Sequence, residues 1–289
     1  MTRNPSPLVV ACLPAWNAAN FIEATLQSLA AQTYEHLQIL VSVDFSTDDT
    51  AQRCEAFANN DPRFQVIRQK KRHGWVGNVN ALLSQARGDY CFFAFHDDIL
   101  DPGYVACLVA ALEAHPEAIL AFTDMDTLNQ NGTIEVSRYA SLDGAANRVE
   151  RARRIVRREG DWWTPHRGLF RSSAARQIGG LKRHLGGEFS ADWPWLLSLA
   201  LLGEFVRVPG ILCHKRYMKQ SLSRTWRDGN RDWLWVSLSA AREVRRAPIR
   251  MNEKMVLWRE LLAGACRLCR NYLVSRWAIR CGRGGEVSS

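Results

Sequence analysis

The apolar run from Tyr90 to Phe95 ends abruptly in His96-Asp97-Asp98. Carboxylate oxygens at the end of a strand suit Mg²⁺ or Mn²⁺, and a diphosphate bound with such an ion needs only one or two carboxylates from a protein. A second acid, Asp192, stands ahead of Trp193-Pro194-Trp195. A lone carboxylate facing a hydroxyl can take its proton as the oxygen attacks. A third, Asp44 in Val43-Asp44-Phe45-Ser46-Thr47-Asp48-Asp49-Thr50, can accept ring N–H groups of uracil, thymine or guanine. Each also has a plainer reading. Asp97-Asp98 can cap a turn before Pro102, Asp44 can cap its own turn with Ser46 and Asp48, and Asp192 can be the N-cap of a helix from Trp193 to Leu202. For Asp192 the two roles are compatible, because a helix N-terminus keeps a carboxylate ionised and in place.

The elements that must position these acids follow from periodicity. Leu8 to Leu13, Leu37 to Asp44, Phe64 to Arg68, Tyr90 to His96 and Ala118 to Thr123 read as strands. Between them, Asn20 and Glu23 form a capping-box pattern for a helix running to Ala30. Thr47 or Asp48 can cap a second helix bearing Ala51, Cys54, Phe57 and Ala58, and Val76 to Arg87 reads as a third. This alternation is that of a mostly parallel α/β sheet flanked by helices. Ligands in such sheets bind beyond the carboxyl ends of the strands. Pro14-Ala15-Trp16-Asn17, Asp44 to Thr50, and His96-Asp97-Asp98 therefore belong to one crevice. No GxGxxG follows the first strand and no GxxxxGK[ST] occurs, which argues against a dinucleotide dehydrogenase and a P-loop enzyme.

Composition narrows the class. The chain has 289 residues, 47% of them hydrophobic, enough for a substantial core. Its eight cysteines show no paired zinc spacing, so buried free thiols in a reducing compartment are expected, and the lone Cys266-x-x-Cys269 reads as helix packing. No cleavable leader or bilayer-length apolar run is evident, which predicts a cytoplasmic protein, soluble or peripheral at the inner membrane face. Of the net charge of +9, nearly all lies between Arg242 and Arg283, where 11 Lys/Arg face 3 Asp/Glu. Such a segment can meet anionic lipid, although a solvated helical face also explains it. Basic charge permits nucleic-acid binding too, yet no nucleic-acid module accompanies it.

Taken in order, four motifs resemble family 2 glycosyltransferases over residues 8 to 223. Pro14 to Asn17 is similar to the family's P-x-[YW]-N, and Asp44 to Thr50 to its D-[DN]-x-S-x-D-x-T. Gly74 to Asn80 with Ala86 to Tyr90 resembles the stretch leading into the metal motif, and Ala191 to Leu196 resembles ED-x-x-L-W. The resemblance implies a GT-A fold and metal-dependent, inverting sugar transfer from a nucleoside diphosphate donor to a glycan or lipid-linked hydroxyl, in surface polysaccharide or cell-envelope synthesis. It implies Asp192 as catalytic base and Asp98 as ligand of Mg²⁺ or Mn²⁺. It also implies a donor site of Pro14, Ala15, Trp16, Asn17, Asp44, Ser46, Gly74, Asn78 and Asp97. Trp163, Gly168, Trp193 and Arg216 are candidates for the acceptor or phosphate.

The sequence departs from the pattern at His96, Ala191 and Met218. His214 and Lys215 stand near the closing y-R-x-H-x-x-S-x-S, of which Ser221 and Ser223 are the serines. The expected organisation is a nucleotide-sugar half at 1–125, an acceptor half at 126–225, and a basic amphipathic helical extension at 226–289. The Arg-rich stretch 126–160 reads as a connection or a basic helix. A sugar nucleotidyltransferase, or a non-catalytic nucleotide or glycan binder, is the alternative.

Overall fold

The computed structural model describes residues 6–142, 145–217, 226 and 229–282. Strands β1 (Val9–Ala15), β2 (Leu37–Val43), β3 (Phe64–Arg68) and β4 (Tyr90–Phe93) are parallel neighbours in the order β3-β2-β1-β4. Helices α1 (Ile22–Ala30), α2 (Thr50–Ala58) and α3 (Gly74–Gln85) connect them. β1 is buried along its whole length, which is why it reads as an unbroken apolar run rather than an alternating one.

The same sheet continues beyond β4 through β8 (Leu169–Arg171), β6 (Ala118–Leu128), β9 (Glu204–Arg216) and β5 (Asp98–Leu100), with β7 (Ile134–Ser137) paired to β6. β6 and β9 run parallel, whereas β8 and β5 are antiparallel to their neighbours. Helix α4 (Tyr104–Ala114) covers one face. α5 (Arg148–Arg157), α6 (Ser172–Ile178) and α7 (Asp192–Leu202) lie on the other. Every residue of α7 from Trp193 to Leu201 is buried, so this helix forms part of the core.

Several local expectations are corrected. The Asn20/Glu23 capping box is not made, since Phe21 is the N-cap of α1 and no side chain bonds to it. The second helix is preceded by Asp49, while Asp48 turns back to the amide and hydroxyl of Thr50. β4 stops at Phe93, and Asp98 opens a separate strand, β5, that pairs with β9.

Of the stretch 126–160, the part bearing most of the arginines is the helix α5, preceded by the end of β6 and by β7, and its charges are used. Arg148 pairs with Glu253 at 3.0 Å, and Arg153 and Arg157 pair with Glu260 at 2.9 and 2.5 Å. These pairs clamp the long helix α9 (Met251–Gly282) across α5 and α8 (Asn230–Arg246). Leu257 and Leu261 of α9 are buried, but Leu262, Cys266 and Cys269 face outward, so the amphipathic helix is there while its CxxC pair does not pack. The side chains of Tyr272, Leu273 and Trp277, like Met218, Ser221 and Ser223, lie outside the described residues.

Candidate active site

The loops after β1 and β2 are stitched to each other by side chains. Ser46 Oγ accepts from the Asn17 amide at 3.0 Å, and Asn17 Oδ1 accepts from the Thr47 amide at 2.9 Å. Thr50 and Asp48 take the amides of Ala18 and Ala19. Asn17 and Phe45 adopt positive φ, each 45°, so both loops turn sharply where their strands end. Phe45 is left 54% exposed at the second of these turns.

Asp44 is almost fully buried and anchors the start of α3. Its carboxylate accepts from the amides of His73 (2.6 Å) and Gly74 (2.9 Å) and from Arg72 Nη1 (2.6 Å). The same Arg72 guanidinium stacks on the Trp16 ring, 3.7 Å from its centroid. Gly74 sits at φ 74°, where an added Cβ would lie 2.6 Å from a Glu188 oxygen. Glu188 accepts from the Trp75 amide and pairs with Arg183. Two carboxylates thus converge on the positive end of α3.

Of the nine donor-site residues expected, Trp16, Asn17, Asp44, Ser46 and Gly74 form this connected floor. Pro14 and Ala15 are inside β1 and act through their backbone carbonyls. Asn78 differs. It is buried against Ser42, bonding its hydroxyl and carbonyl, and so ties α3 to β2 without facing the crevice.

His96 is held by Pro14, whose carbonyl lies 3.0 Å from its Nδ1, and packs on Phe21. It is a framework residue. Asp98 follows, 2% exposed, with its Oδ2 accepting from Arg167 Nε at 2.7 Å. Burial pushes the Asp98 carboxyl above its usual range, while Arg167 and Lys215 pull it back. Its Oδ1 has no hydrogen-bond partner among the described residues. Asp97 lies beside it, 3.4 Å from Lys215 Nζ, and its carbonyl accepts from the Arg216 amide. Arg216 bonds the Phe21 carbonyl through Nη2, and its buried Nε also lacks a partner among the described residues. A buried acceptor and a buried donor therefore stand without protein partners among the described residues on adjoining strands.

Asp192 is the first residue of α7, one position inside the helix; Ala191 is the N-cap. Its carboxylate lies 3.8 Å from His166 Nδ1 and is 18% exposed. Burial raises its pKa to about 6, with its own amide, Arg167 and the Trp193 amide pulling downward. His166 is enclosed by Trp75, Phe93, Phe95 and Trp195, and burial, then Arg167 and Lys215, drive its pKa well below the ordinary imidazole value. The ring is neutral. His166 and Arg167 are consecutive, one reaching Asp192 and the other Asp98, so the two acids expected to share a site are linked by one dipeptide.

The remaining candidates separate. Trp193 is buried and donates its indole N–H to the Ile155 carbonyl, so it is core and not a sugar platform. Gly168 serves close packing, since a Cβ there would stand 2.5 Å from the Ala121 carbonyl oxygen. Trp163 is half-buried beside the Arg167 guanidinium, 5.3 Å away. His214 lies between Asp126 and Asp101, at 2.9 and 3.2 Å, and is committed to them. Arg72, His166, Arg167 and Glu188 escaped the sequence reading. For His166-Arg167 a signal existed, namely a His-Arg pair immediately before Gly168 in an aromatic stretch.

A single carboxylate with an unpartnered oxygen matches the donor chemistry that a divalent cation shared with a diphosphate requires, although this oxygen is buried and Arg167 holds its twin. No group of three or more acidic, His or Cys side chains suited to a metal occurs among the described residues.

The fold is shared with the crystal structure of S. aureus TarS 1-349 in complex with UDP-GlcNAc, at TM-score 0.71 and 18% identity, covering 88% of this chain and 71% of that one. It is also shared with the mannosyltransferase PcManGT from Pyrobaculum calidifontis in complex with GDP-Man and Mn²⁺, at TM-score 0.61 and 18% identity, covering 96% and 79%. These are GT-A architectures, as expected from the motifs. The Pasteurella multocida hyaluronan synthase is 25% identical over 215 residues, 74% of this chain and 21% of that protein. The chain spans about a fifth to a third of the length of this and other curated relatives it matches. A family model, Glycosyl transferase family 2, matches residues 10–174, more than half of the chain, and the protein belongs to that family.

Proposed function

We propose that the protein transfers one sugar, with inversion, from a nucleoside diphosphate donor to a hydroxyl of a glycan or lipid-linked acceptor in surface polysaccharide or cell-envelope synthesis. The observation that carries this reading is the His166-Arg167 dipeptide joining Asp192 to Asp98. The donor's base and ribose lie over Trp16 and Arg72, which buried Asp44 holds from beneath rather than meeting the base itself, and the diphosphate extends toward Asp98 and Arg216. Ionised Asp192 takes the proton of the acceptor hydroxyl. That oxygen forms a bond to the anomeric carbon as the bond from carbon to diphosphate oxygen breaks, and the electron pair leaves with the diphosphate. Arg216, through its open Nε, meets the growing charge. Mg²⁺ or Mn²⁺, held by Asp98 Oδ1 with Asp97 alongside, would supply further neutralisation of the leaving group. Neutral His166, 3.8 Å from the Asp192 carboxylate, lines the base without competing for the proton.

No helix among the described residues is long and apolar enough to cross a membrane. Peripheral contact of the basic α8–α9 surface with the anionic inner face of the cytoplasmic membrane is part of the proposal, and brings the enzyme to a lipid-linked acceptor.

The test is a panel of labelled UDP, dTDP and GDP sugars with Mn²⁺. Asp192→Asn is expected to lower turnover by about 10²–10⁴-fold while donor-induced thermal shifts persist. Undiminished turnover in that variant removes the base assignment. Unchanged rates in EDTA remove the cation. Donor binding with no product from any member of the panel favours a non-catalytic binder, and release of pyrophosphate from a sugar phosphate and a nucleoside triphosphate favours a nucleotidyltransferase.

A further inference from the structure

A cavity of about 570 Å³ opens between α8 and α9, far in sequence from the acids of the site. Its walls are Leu234, Trp235 and Leu238 from α8, facing Trp258, Leu261 and Leu262 from α9. It continues into exposed apolar surface, for Leu238 and Leu262 are 50% and 65% accessible and Met255 is 51% accessible. At about 30 Å³ per water-sized group, the space holds roughly 20 such groups. That is the bulk of one long hydrocarbon chain.

The charge around this opening is strongly one-sided. Helical spacing puts Arg231, Arg242 and Arg245 on the α8 face that carries Leu238, and Arg259 and Arg270 on the α9 face that carries Leu262. All five are exposed, and none forms an ion pair with a described acidic residue. Of the four acidic residues of these helices, Glu243 turns to Lys182 and Arg246, Glu253 to Arg148, and Glu260 to Arg153 and Arg157, while half-buried Asp232 stands in the first turn of α8 and forms no ion pair among the described residues. An apolar trough with an unneutralised cationic rim matches an amphiphile with one apolar tail and an anionic head. A second copy of the chain would set the same rim against itself, with like charges opposed. The stretches 218–225, 227–228 and 283–289 are mostly polar or charged and poorly suited to fill an apolar trough.

We propose that the α8–α9 trough binds the hydrocarbon chain of an anionic, phosphate-headed lipid, with the tail between Trp235 and Trp258 and the head among the rim arginines. The inference deepens the membrane contact proposed above and rests on it for the source of the lipid. The experiment uses the full chain and dansyl-undecanoic acid, kept below its micelle-forming concentration, with energy transfer from the trough tryptophans as the readout. One saturable site is expected, displaced at least tenfold better by dodecyl phosphate than by dodecanol. Leu238→Asp and Leu262→Asp, both at exposed positions, should weaken the probe at least tenfold with an unchanged unfolding temperature, and Arg242→Glu with Arg259→Glu should abolish the preference for the phosphate head. Absence of saturable binding overturns the proposal. So does equal binding by the Asp variants, or a concentration-dependent dimer that Leu262→Asp dissolves. If either Asp variant fails to fold, the displacement order measured on the unaltered protein still decides. Transfer to a soluble acceptor, measured on the same samples, separates this inference from the proposed reaction, because each can fail while the other stands.

Discussion

Replacing Arg167 with Met keeps an aliphatic stem of similar length and removes the guanidinium that sits 2.7 Å from Asp98 Oδ2. The two side chains are 12% and 3% exposed, so water cannot take over the lost contact. A carboxylate stranded in this way costs about 3–5 kcal/mol. For a chain of this length that lowers the unfolding temperature by on the order of 10 °C. Asp98→Asn strands the opposite partner, but the amide oxygen still accepts a hydrogen bond, so its cost is smaller. In the double variant neither charge is left alone, and the two losses should fail to add by about 2 kcal/mol. Urea unfolding of the four proteins, followed by tryptophan fluorescence, measures the whole cycle. Additivity within about 0.5 kcal/mol, or an Arg167→Met protein as stable as the parent, would refute the claim that this buried pair holds the site together.

Further outcomes follow from other contacts. With the Asp192 carboxyl raised to about 6 by burial, transfer should rise with pH and reach half its plateau near pH 6, and a profile flat from pH 5 to 8 would contradict the base role. The same shift has a stability sign. The folded protein holds this proton more tightly than the unfolded chain, whose Asp titrates near about 3.9, so stability falls as pH rises from about 4 to 6. Asp192→Asn should therefore unfold at an equal or higher temperature than the parent at pH 7.5, by differential scanning calorimetry. Glu260, lowered to about 2 chiefly by its hydrogen bond from Arg157, contributes stability that is present above about pH 4.3 and lost as pH falls toward 2. Glu260→Gln should cost about 1–3 kcal/mol at pH 7, expose α9 to limited proteolysis, and cost almost nothing near pH 2. Gly168→Ala forces a Cβ against the Ala121 carbonyl and should destabilise by about 1–3 kcal/mol without changing the donor's KM once folded, a result checked by steady-state kinetics beside thermal unfolding.

The parallel half of the sheet was readable because β1, β2 and β4 are buried on both faces and carry continuous apolar runs. β5 was not, because three residues beside two aspartates show no periodicity and owe their strand geometry to β9, more than a hundred positions away. Asp98 and Asp192 were found by type and local setting. Arg167 was missed because its meaning depends on tertiary placement: alone it is one arginine among many, and only the turn at Thr164–Arg167 brings it to Asp98. Asn78 and Trp193 were assigned outward-facing roles because a motif gives position along the chain but not which side of a helix a residue occupies. The Ser42–Asn78 and Trp193–Ile155 hydrogen bonds show both side chains pointing into the core. On α9, Cys266 and Cys269 face outward instead of packing, because helical spacing does not state how much of an apolar face finds a partner.

The cross-bonded turns after β1 and β2 bear on the donor site proposed above. Four amides there, those of Asn17, Ala18, Ala19 and Thr47, are already held by the opposite turn. A guest arriving at such a surface has little ordering left to impose, so its binding entropy should carry only a small conformational debit. Those same amides should exchange with deuterium slowly before any nucleotide is added, because each is already hydrogen-bonded across the turns.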